Sequence, residues 1–373
     1  MASPLLAALD VRIAATAADS RDAVRLRARR VAVLTREGRL DAARTELAAL
    51  HAQYRDRPDA VVSGWLHLAD GIALHCGGHD AAARDRFGRV LALGSAAGVV
   101  PLQALGAAWL AQLACLEEDF AATAGFLARC FAVVEADHHA ARGRACLVAA
   151  QAWHRAGRFE AAQPWYRRTR LHATSEGDQA TLAASMHDRA WLSALQLRRA
   201  ALAGNAPAGE VRAVLAGAES VEHFCGLTGV VLPIAPARLL RAHALALLGR
   251  HAEAQRLFTA HLLEATPLLG GLASLRCAAL AELAWCCVGL GDTAGASAGA
   301  VAAQDALHDG LPQHQRAFVH GRLAQVQAAL GDAVAAERHA AQAEAAWDTH
   351  AKEQEHAAAL LEAALGSFTA DGT

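Results

Sequence analysis

Three short stretches of this sequence carry residue types that could do chemistry. His75, Cys76 and His79 place three potential zinc ligands around one turn. Gly295–Gly299 spells the GxSxG of a serine nucleophile, and the adjacent pair Cys286–Cys287 could act as a redox switch. Whether any of these stretches can act depends on the secondary structure that must position it.

The surrounding sequence favours a structural role for each stretch. A nucleophile elbow requires a strand-to-helix turn, whereas the sequence around Ser297 is alanine-rich and predicts a helix. Gly78, inside the histidine–cysteine stretch, falls at a repeat turn described below, and no second cluster with metal-ligand spacing is nearby. The cysteine pair follows Trp285 in an apolar stretch that predicts a helix, where a thiol packs as a small hydrophobic group. We therefore expect no catalytic residue, metal or cofactor.

Lysine usage excludes two further kinds of chemistry. A Walker-type phosphate loop and a pyridoxal Schiff base both need a lysine. The only lysine of the chain, Lys352, lies in a polar stretch with no glycine loop before it. Neither chemistry fits this sequence.

Composition predicts an all-helical protein. About a quarter of the 373 residues are alanine, the strongest helix former, while aromatic residues make up 5% and there are nine prolines. The eight cysteines show no CxxC spacing, which favours a reducing cytoplasm over a disulfide framework. The longest uncharged run, Leu91–Leu116, is interrupted by several glycines and a proline, so we expect no membrane span.

The charge balance argues against nucleic acid as a partner. The chain has 35 basic and 37 acidic residues, with a formal net charge of −2. Its densest basic stretch, Arg25–Arg30, predicts a solvated helix face more readily than a nucleic-acid site.

Glycine turns recur about every 40 residues between helical stretches. They fall at Gly38, Gly78, Gly157, Gly249, Gly291 and Gly331, and an equivalent turn without glycine lies at Glu117–Asp119. The long interval after Gly157 holds two repeats with a turn near Gly204–Pro207. Eight helix pairs therefore fit the chain.

The residues around each turn repeat as well. A small residue such as Gly71 or Ala111 lies seven positions before the turn, and another, such as Ala83 or Ala162, lies five positions after it. A large residue, for example Phe87, often follows at nine positions. Small residues let two antiparallel helices approach closely, and the large one fills the gap between neighbouring pairs. Such pairs bury their apolar faces by stacking.

This pattern resembles the tetratricopeptide repeat (TPR) family. Ala156–Ala162 and Leu248–Ala254 match the family's turn motif, and the resemblance covers roughly residues 20–348. The period is longer than the family's 34 residues and the start of the motif is degenerate. Longer units of this kind are similar to the MalT-like and Rap-like helical modules of bacterial signalling regulators.

The resemblance implies a right-handed α-solenoid of antiparallel helix pairs forming a single domain. Residues 1–19 would supply an N-terminal capping helix, which the Ser3–Pro4 pair would start. Residues 20–348 would form the eight pairs. Residues 349–373 would form a C-terminal capping helix and tail, with the helix beginning near Lys352.

In this family the first helix of each pair lines the concave face. Carrying the family's inner positions onto this sequence gives a candidate partner-binding groove, made of Arg25, Arg36, Trp65, His75, Gln112, Arg144, Gln151, His154, Arg155, His243 and Trp285. Arginine, histidine and glutamine beside tryptophan suit an acidic peptide or a carboxylate-bearing ligand. Ordinary solvated groove side chains are the competing interpretation.

These features predict a non-enzymatic cytoplasmic repeat protein that binds a protein or peptide through its concave face, in bacterial signalling or complex assembly. One alternative is a ligand-sensing regulator whose output domain is on a separate chain. A second is an α/α-toroid hydrolase, but such a site needs paired carboxylates in an aromatic cleft, and no acid is among the groove residues.

Overall fold

The computed structural model describes residues 3–56, 59–232, 234–262 and 272–369, and in that part of the chain every regular element is an α-helix. A first helix, α1 (Pro4–Ala14), is followed by sixteen helices that form eight consecutive pairs. The pairs are α2 (Arg21–Arg36) with α3 (Leu40–Tyr54), α4 (Ala60–Cys76) with α5 (Asp80–Ala96), α6 (Val100–Leu116) with α7 (Phe120–Val133), α8 (His139–Arg155) with α9 (Phe159–Glu176), α10 (Gln179–Leu202) with α11 (Ala208–Thr228), α12 (Ile234–Leu247) with α13 (His251–His261), α14 (Leu272–Gly289) with α15 (Thr293–Asp305), and α16 (Gln313–Leu330) with α17 (Ala333–Thr369).

The helices divide into two compact units. Unit 1 contains the chain up to Ser185, Phe224–Leu232 and the residues from Ala357 on. Unit 2 contains Met186–His223 and the chain between Pro233 and His356. Unit 1 therefore holds α1 to α9, and α12 to α16 belong to unit 2, while α10, α11 and α17 contribute residues to both.

The turns predicted from glycine spacing lie between the two helices of each pair. All six predicted turn glycines have φ between 72° and 86°, the left-handed region that glycine enters without a steric penalty. The turn without glycine uses Glu118 at φ 60°, the one non-glycine residue with positive φ among the described residues. Gly204, with φ 71°, lies in the predicted turn of the long repeat.

The small and large residues around the turns meet as the sequence predicts. A Cβ added to Gly71 in α4 would lie 2.6 Å from Cε1 of Phe87 in α5, so only glycine fits there. Ala83 and Ala162, five positions after their turns, are completely buried. The two helices of a pair thus approach closely because their contact positions are small.

Unit 1 also contains contacts between its first and fourth pairs. Arg36, the last residue of α2, donates from Nη1 to Oδ2 of Asp178 at 2.8 Å, just after α9. Arg29 lies 2.5 Å from Glu176 at the end of α9, and a Cβ on Gly177 would be 3.1 Å from Cβ of Pro4. In unit 1, contacts between helix pairs are therefore not limited to pairs that are neighbours in the sequence.

The C-terminal region forms no separate capping helix. Instead of starting near Lys352, it continues the second helix of the last pair, and α17 is unbroken from Ala333 to Thr369. The reason is local, because the sequence around Lys352 is polar but contains neither glycine nor proline. Leu361 and Leu365 are buried in the core of unit 1.

Three further features bear on the sequence interpretations. Gly295–Gly299 lies inside α15, in a helix rather than a strand-to-helix turn. The cysteine pair is buried, with Cys286 completely inaccessible and burial raising its pKa to about 12. In the described part of the chain, no helix is long and apolar enough to cross a membrane.

Candidate functional site

In unit 1 the first helices of the third and fourth pairs bring three predicted groove residues together. Arg144 on α8 donates from Nη1 to Oε1 of Gln112 on α6 at 3.2 Å, and Gln112 donates from Nε2 to Oε1 of Gln151 at 3.1 Å. The Arg144 guanidinium lies over the Trp109 ring, 4.1 Å from its centroid. Both glutamines are almost fully buried, so this row is a packed polar network more than an open groove wall.

His75 and Arg36 lie near this network and are held by carboxylates. The His75 ring packs edge-on against Trp109 at 5.7 Å, and its Nδ1 is 2.6 Å from Oδ1 of Asp80. Arg36 contacts Asp178 as described above and also donates to Oγ1 of Thr181 at 2.9 Å. The nearby Arg36 charge lowers the pKa of Asp178 against the effect of burial.

His154 and Arg155, at the end of α8, contact different neighbours. Nδ1 of His154 is 3.0 Å from the hydroxyl of Tyr166 in α9, the second helix of the same pair. Arg155 donates from Nη1 to Oε1 of Glu118 at 3.3 Å, in the turn of the preceding pair. Burial raises the pKa of Glu118, while Arg155 lowers it.

Trp65 and Arg25 lie apart from the polar network. Trp65 is 4% exposed and belongs to the apolar core of unit 1. Arg25 is a half-buried residue of α2 that pairs with Asp22 on the same helix. The basic stretch around Arg25 is largely neutralised by acids, since Arg27 and Arg30 both contact Glu46.

Unit 2 contains a second polar cluster, which includes the last two predicted groove residues. Glu282 on α14 is completely buried, and its Oε1 accepts from Nε and Nη2 of Arg322 on α16 at 2.9 and 2.7 Å. Nδ1 of His243 is 4.0 Å from the same oxygen. The Arg322 guanidinium lies 5.2 Å from the centroid of the half-buried Trp285 ring.

A second arginine in this cluster has no carboxylate of its own among the described residues. Arg198 on α10 is 1% exposed and donates from Nη1 to Oε1 of Gln315 at 2.7 Å. Its guanidinium lies over Phe318, 4.3 Å from the ring centroid, and 5.7 Å from that of Trp191. Its Nε is buried and finds no hydrogen-bond partner in the described part of the chain.

We call Arg198, His243, Glu282, Gln315, Phe318 and Arg322 the inner cluster of unit 2. Burial lowers the pKa of His243 to about 4, with Glu282 raising it and both arginines lowering it further. Burial also lowers the pKa of Arg198 to about 9, and nearby Arg322 adds to that effect. The cluster thus combines two arginines and one glutamate with a histidine whose protonation burial opposes, a formal surplus of one positive charge.

Arg198, Glu282 and Arg322 are not among the predicted groove residues, although the repeat contains a signal for them. Gln112, Gln151, His243 and Trp285 all lie six positions before their turns, and Arg198 has the same offset from Gly204. Glu282 and Arg322 both lie nine positions before their turns, so the ion pair joins equivalent positions of adjacent pairs. Applying the offset to the long repeat would have identified Arg198.

These arrangements are suited to binding anions. Guanidinium groups present planar N–H donors that match carboxylate oxygens, and burial strengthens such contacts. Among the described residues, no group of three or more histidine, cysteine, aspartate or glutamate side chains could hold a metal ion. Each buried carboxylate named above pairs with an arginine.

Comparison with known proteins adds no family assignment. No protein-family model matches the chain, and no curated protein matches it significantly. The resemblance to tetratricopeptide repeats therefore rests on the repeat residues themselves.

Proposed function

We propose that this chain is a non-enzymatic, tetratricopeptide-like repeat protein that binds an acidic protein or peptide through the inner faces of its first helices. The supporting observation is that Gln112 and Gln151 lie at equivalent inner positions of successive pairs and bond to each other, while Arg144 donates to Gln112. These groups suit carboxylates because they offer N–H donors beside a positive charge. We place the protein in the bacterial cytoplasm, in signalling or complex assembly, where its eight thiols would stay reduced.

Binding is a better proposal than hydrolysis because of how the buried acids are used. A glycoside hydrolase needs two carboxylates that face one substrate. Asp178 and Glu282 are buried and contact an arginine, they belong to different units, and an acid held in an ion pair is a poor proton donor. The α/α-toroid hydrolase is therefore the weakest of the candidates.

A labelled acidic peptide tests the proposal directly. Arg144 and Arg155 are both half-buried and lie on α8 about 16 Å apart along the helix axis. We expect the double change Arg144→Ala, Arg155→Ala to weaken binding of a fluorescent deca-glutamate peptide at least tenfold by anisotropy, because two charge-assisted contacts are lost. The salt dependence of binding should also become flatter.

The matched control is the double change Arg44→Ala, Arg89→Ala. Both arginines are exposed on second helices, α3 and α5, and each pairs with an aspartate of its own helix, so their loss removes the same charge without touching the inner face. Helix content by circular dichroism should be unchanged in both variants. Equal affinity of the two double variants would move the peptide site off α8.

Ligand sensing is the second candidate, favoured by the burial of the inner positions. Gln112, Gln151 and His154 are each less than a tenth exposed, so an extended peptide would have to displace existing contacts. A small molecule between the first helices would displace fewer of them. The inner cluster of unit 2 is buried in the same way, and its surplus positive charge fits an acidic ligand.

A further inference from the structure

The inner cluster of unit 2 has an unbalanced charge in a place that water does not reach. Arg198 and Arg322 are 1% and 2% exposed, and Glu282 is the one buried carboxylate that faces them among the described residues. Both Nε and Nη2 of Arg322 bind Glu282 Oε1, so this acid is already engaged. The Arg198 cation is therefore left with a neutral amide, Gln315, as its partner.

Glu282 interacts electrostatically with Arg198, but this one carboxylate serves two buried guanidiniums, and an incompletely balanced interior cation is costly to a fold. Removing a charge from water without a full counter-charge strongly destabilises a folded protein. The faces of Phe318 and Trp191 offset part of that cost through cation–π attraction. They leave the N–H at Arg198 Nε without an acceptor in the described part of the chain.

Two further buried atoms of the cluster lack a hydrogen-bond partner among the described residues. They are Oε2 of Glu282, which can only accept, and Nε2 of His243. Arg198 and Arg322 both lower the pKa of His243, so these groups lie within electrostatic reach of one another. Three orphan polar atoms in one interior site indicate something that binds there.

We propose that the inner cluster of unit 2 is a binding site for a small organic monocarboxylate, whose carboxylate accepts from Nε of Arg198. This proposal deepens the ligand-sensing candidate and rests on it. It does not depend on the acidic-peptide proposal, because none of its residues belongs to unit 1.

Charge and surroundings select this class of ligand. One negative charge neutralises the surplus, whereas a dianion such as hydrogen phosphate would reverse it in a buried site. The rings of Phe318 and the half-buried Trp285 lie beside the guanidiniums and make the surroundings apolar, which suits a ligand with a carbon skeleton. The orphan Oε2 of Glu282 needs a donor, so a hydroxyl on the acid should strengthen binding.

Buried water is the competing explanation for the orphan atoms. Ordered water can donate to Glu282 and accept from Arg198, but it brings no charge. The two explanations differ in one respect, since only a ligand site responds to the charge of an added acid. A carboxylate and its uncharged amide therefore separate them.

The experiment measures the melting temperature and binding heat of the full chain with lactate, propionate, lactamide or inorganic phosphate, at constant ionic strength. Both carboxylates should raise the melting temperature, lactate more than propionate. By calorimetry, lactate should bind at least tenfold more tightly than lactamide, because the amide lacks the charge. Phosphate should act no differently from added sodium chloride.

Neighbouring arginines supply matched variants. Arg198→Gln should abolish the response to lactate. Arg199→Gln, on the same helix but more than half exposed and paired with Glu344, should retain it. Should Arg198→Gln fail to fold, Arg198→Lys keeps the charge and removes the Nε–H, and lactate should then bind at least tenfold more weakly. The wild-type comparison of lactate with lactamide requires no variant.

The possible results distinguish failure of the carboxylate site from failure of ligand sensing and of acidic-peptide binding. A response to phosphate or lactamide, with none to the carboxylates, would overturn the carboxylate assignment and leave ligand sensing in place. An equal lactate response in Arg198→Gln would also overturn the assignment. No response to any of the four would overturn ligand sensing too, and the acidic-peptide proposal would still stand on its own test.

Discussion

At the residue scale, backbone conformation explains why glycine recurs at the turns. Gly249 has φ 74°, and a Cβ added there would meet nothing within 4 Å. Space is therefore not the reason for glycine at this position. The reason is the left-handed conformation, which costs an L-residue about 1–2 kcal/mol.

We expect Gly249→Ala to lower the free energy of unfolding by about 1 kcal/mol, since only the backbone term is lost. Gly125→Ala is the matched control, because Gly125 lies inside α7 at an ordinary φ with equally open space. That change should raise stability by about 0.5–1 kcal/mol through helix propensity. Urea denaturation measures both, and equal effects at the two sites would contradict the explanation.

The buried ion pair Glu282–Arg322 gives a second prediction. Glu282→Gln leaves two buried guanidiniums without a carboxylate, and we expect a loss of about 3–5 kcal/mol. The double change Glu282→Leu, Arg322→Met removes both charges and should cost less than the single change. Urea denaturation of the wild type and the two variants measures the three free energies of unfolding. A double variant less stable than Glu282→Gln would show that the pair itself carries the stability.

The candidate site could be predicted only in part. Gln112, Arg144 and Gln151 were placed on one inner face by the repeat, and the structure brings them into contact. The repeat does not reveal burial, because helix spacing shows which face a residue shares but not how tightly neighbouring pairs close over it. Arg198 pairs with Gln315 across 117 residues, a contact that no local pattern encodes.

At the element scale, helix pairs are held together by matched small and large residues. Gly71 on α4 faces Phe87 on α5, and Gly88, beside Phe87 in sequence, has open space. Because these small and large contact residues recur with the repeat period, they specify where each helix pair forms. This is also why eight pairs could be predicted, including the long one, whose turn at Gly204 the composition indicates.

We expect Gly71→Ala to destabilise the protein by about 1–3 kcal/mol, because its Cβ overlaps the Phe87 ring in a packed interface. Gly88→Ala is the control in the partner helix and should be neutral or stabilising. Restoring space with Gly71→Ala, Phe87→Leu should recover part of the loss. An unchanged free energy of unfolding in Gly71→Ala would mean that α4 and α5 can move apart. The 2.6 Å between the added Cβ and Cε1 of Phe87 argues against this result.

In the C-terminal region the predicted helix start near Lys352 does not occur, because α17 runs through it. A polar stretch around Lys352 suggested the start of a new helix, yet polar residues on one face do not end a helix. A break requires glycine, proline or a competing cap, and α17 has none of these between Trp347 and Leu361. Helix propensity and an unbroken backbone therefore decide the outcome.

At the scale of the whole molecule, buried histidines couple stability to pH. Burial lowers the pKa of His172, His243, His320 and His350 to about 4. The unfolded chain takes up these protons near the ordinary value of 6.5, and the folded chain does not. Between pH 6.5 and 4 the unfolded state therefore binds more protons, so stability falls as the pH falls.

Above pH 7 we expect these four histidines to add no pH dependence to the free energy of unfolding. It should decline below pH 6.5 by up to about 1.4 kcal/mol per pH unit for each histidine. Glu37 and Glu118, whose pKa values burial raises, oppose this only in part. Urea denaturation at pH 7.5, 6 and 5 measures the slope. His172→Gln with His320→Gln should make it shallower, whereas the exposed control His223→Gln should not.

The contact between the first and fourth pairs of unit 1 limits how this sequence can evolve. Repeat proteins commonly grow and shrink by duplication or loss of whole repeats, because each repeat touches only its neighbours. Here Arg36 must meet Asp178, and Arg29 must meet Glu176, across two intervening pairs. A duplicated or deleted pair would separate both partners and bury an arginine without its carboxylate. We therefore expect evolutionary variation in unit 1 to accumulate as substitutions on a fixed number of helices.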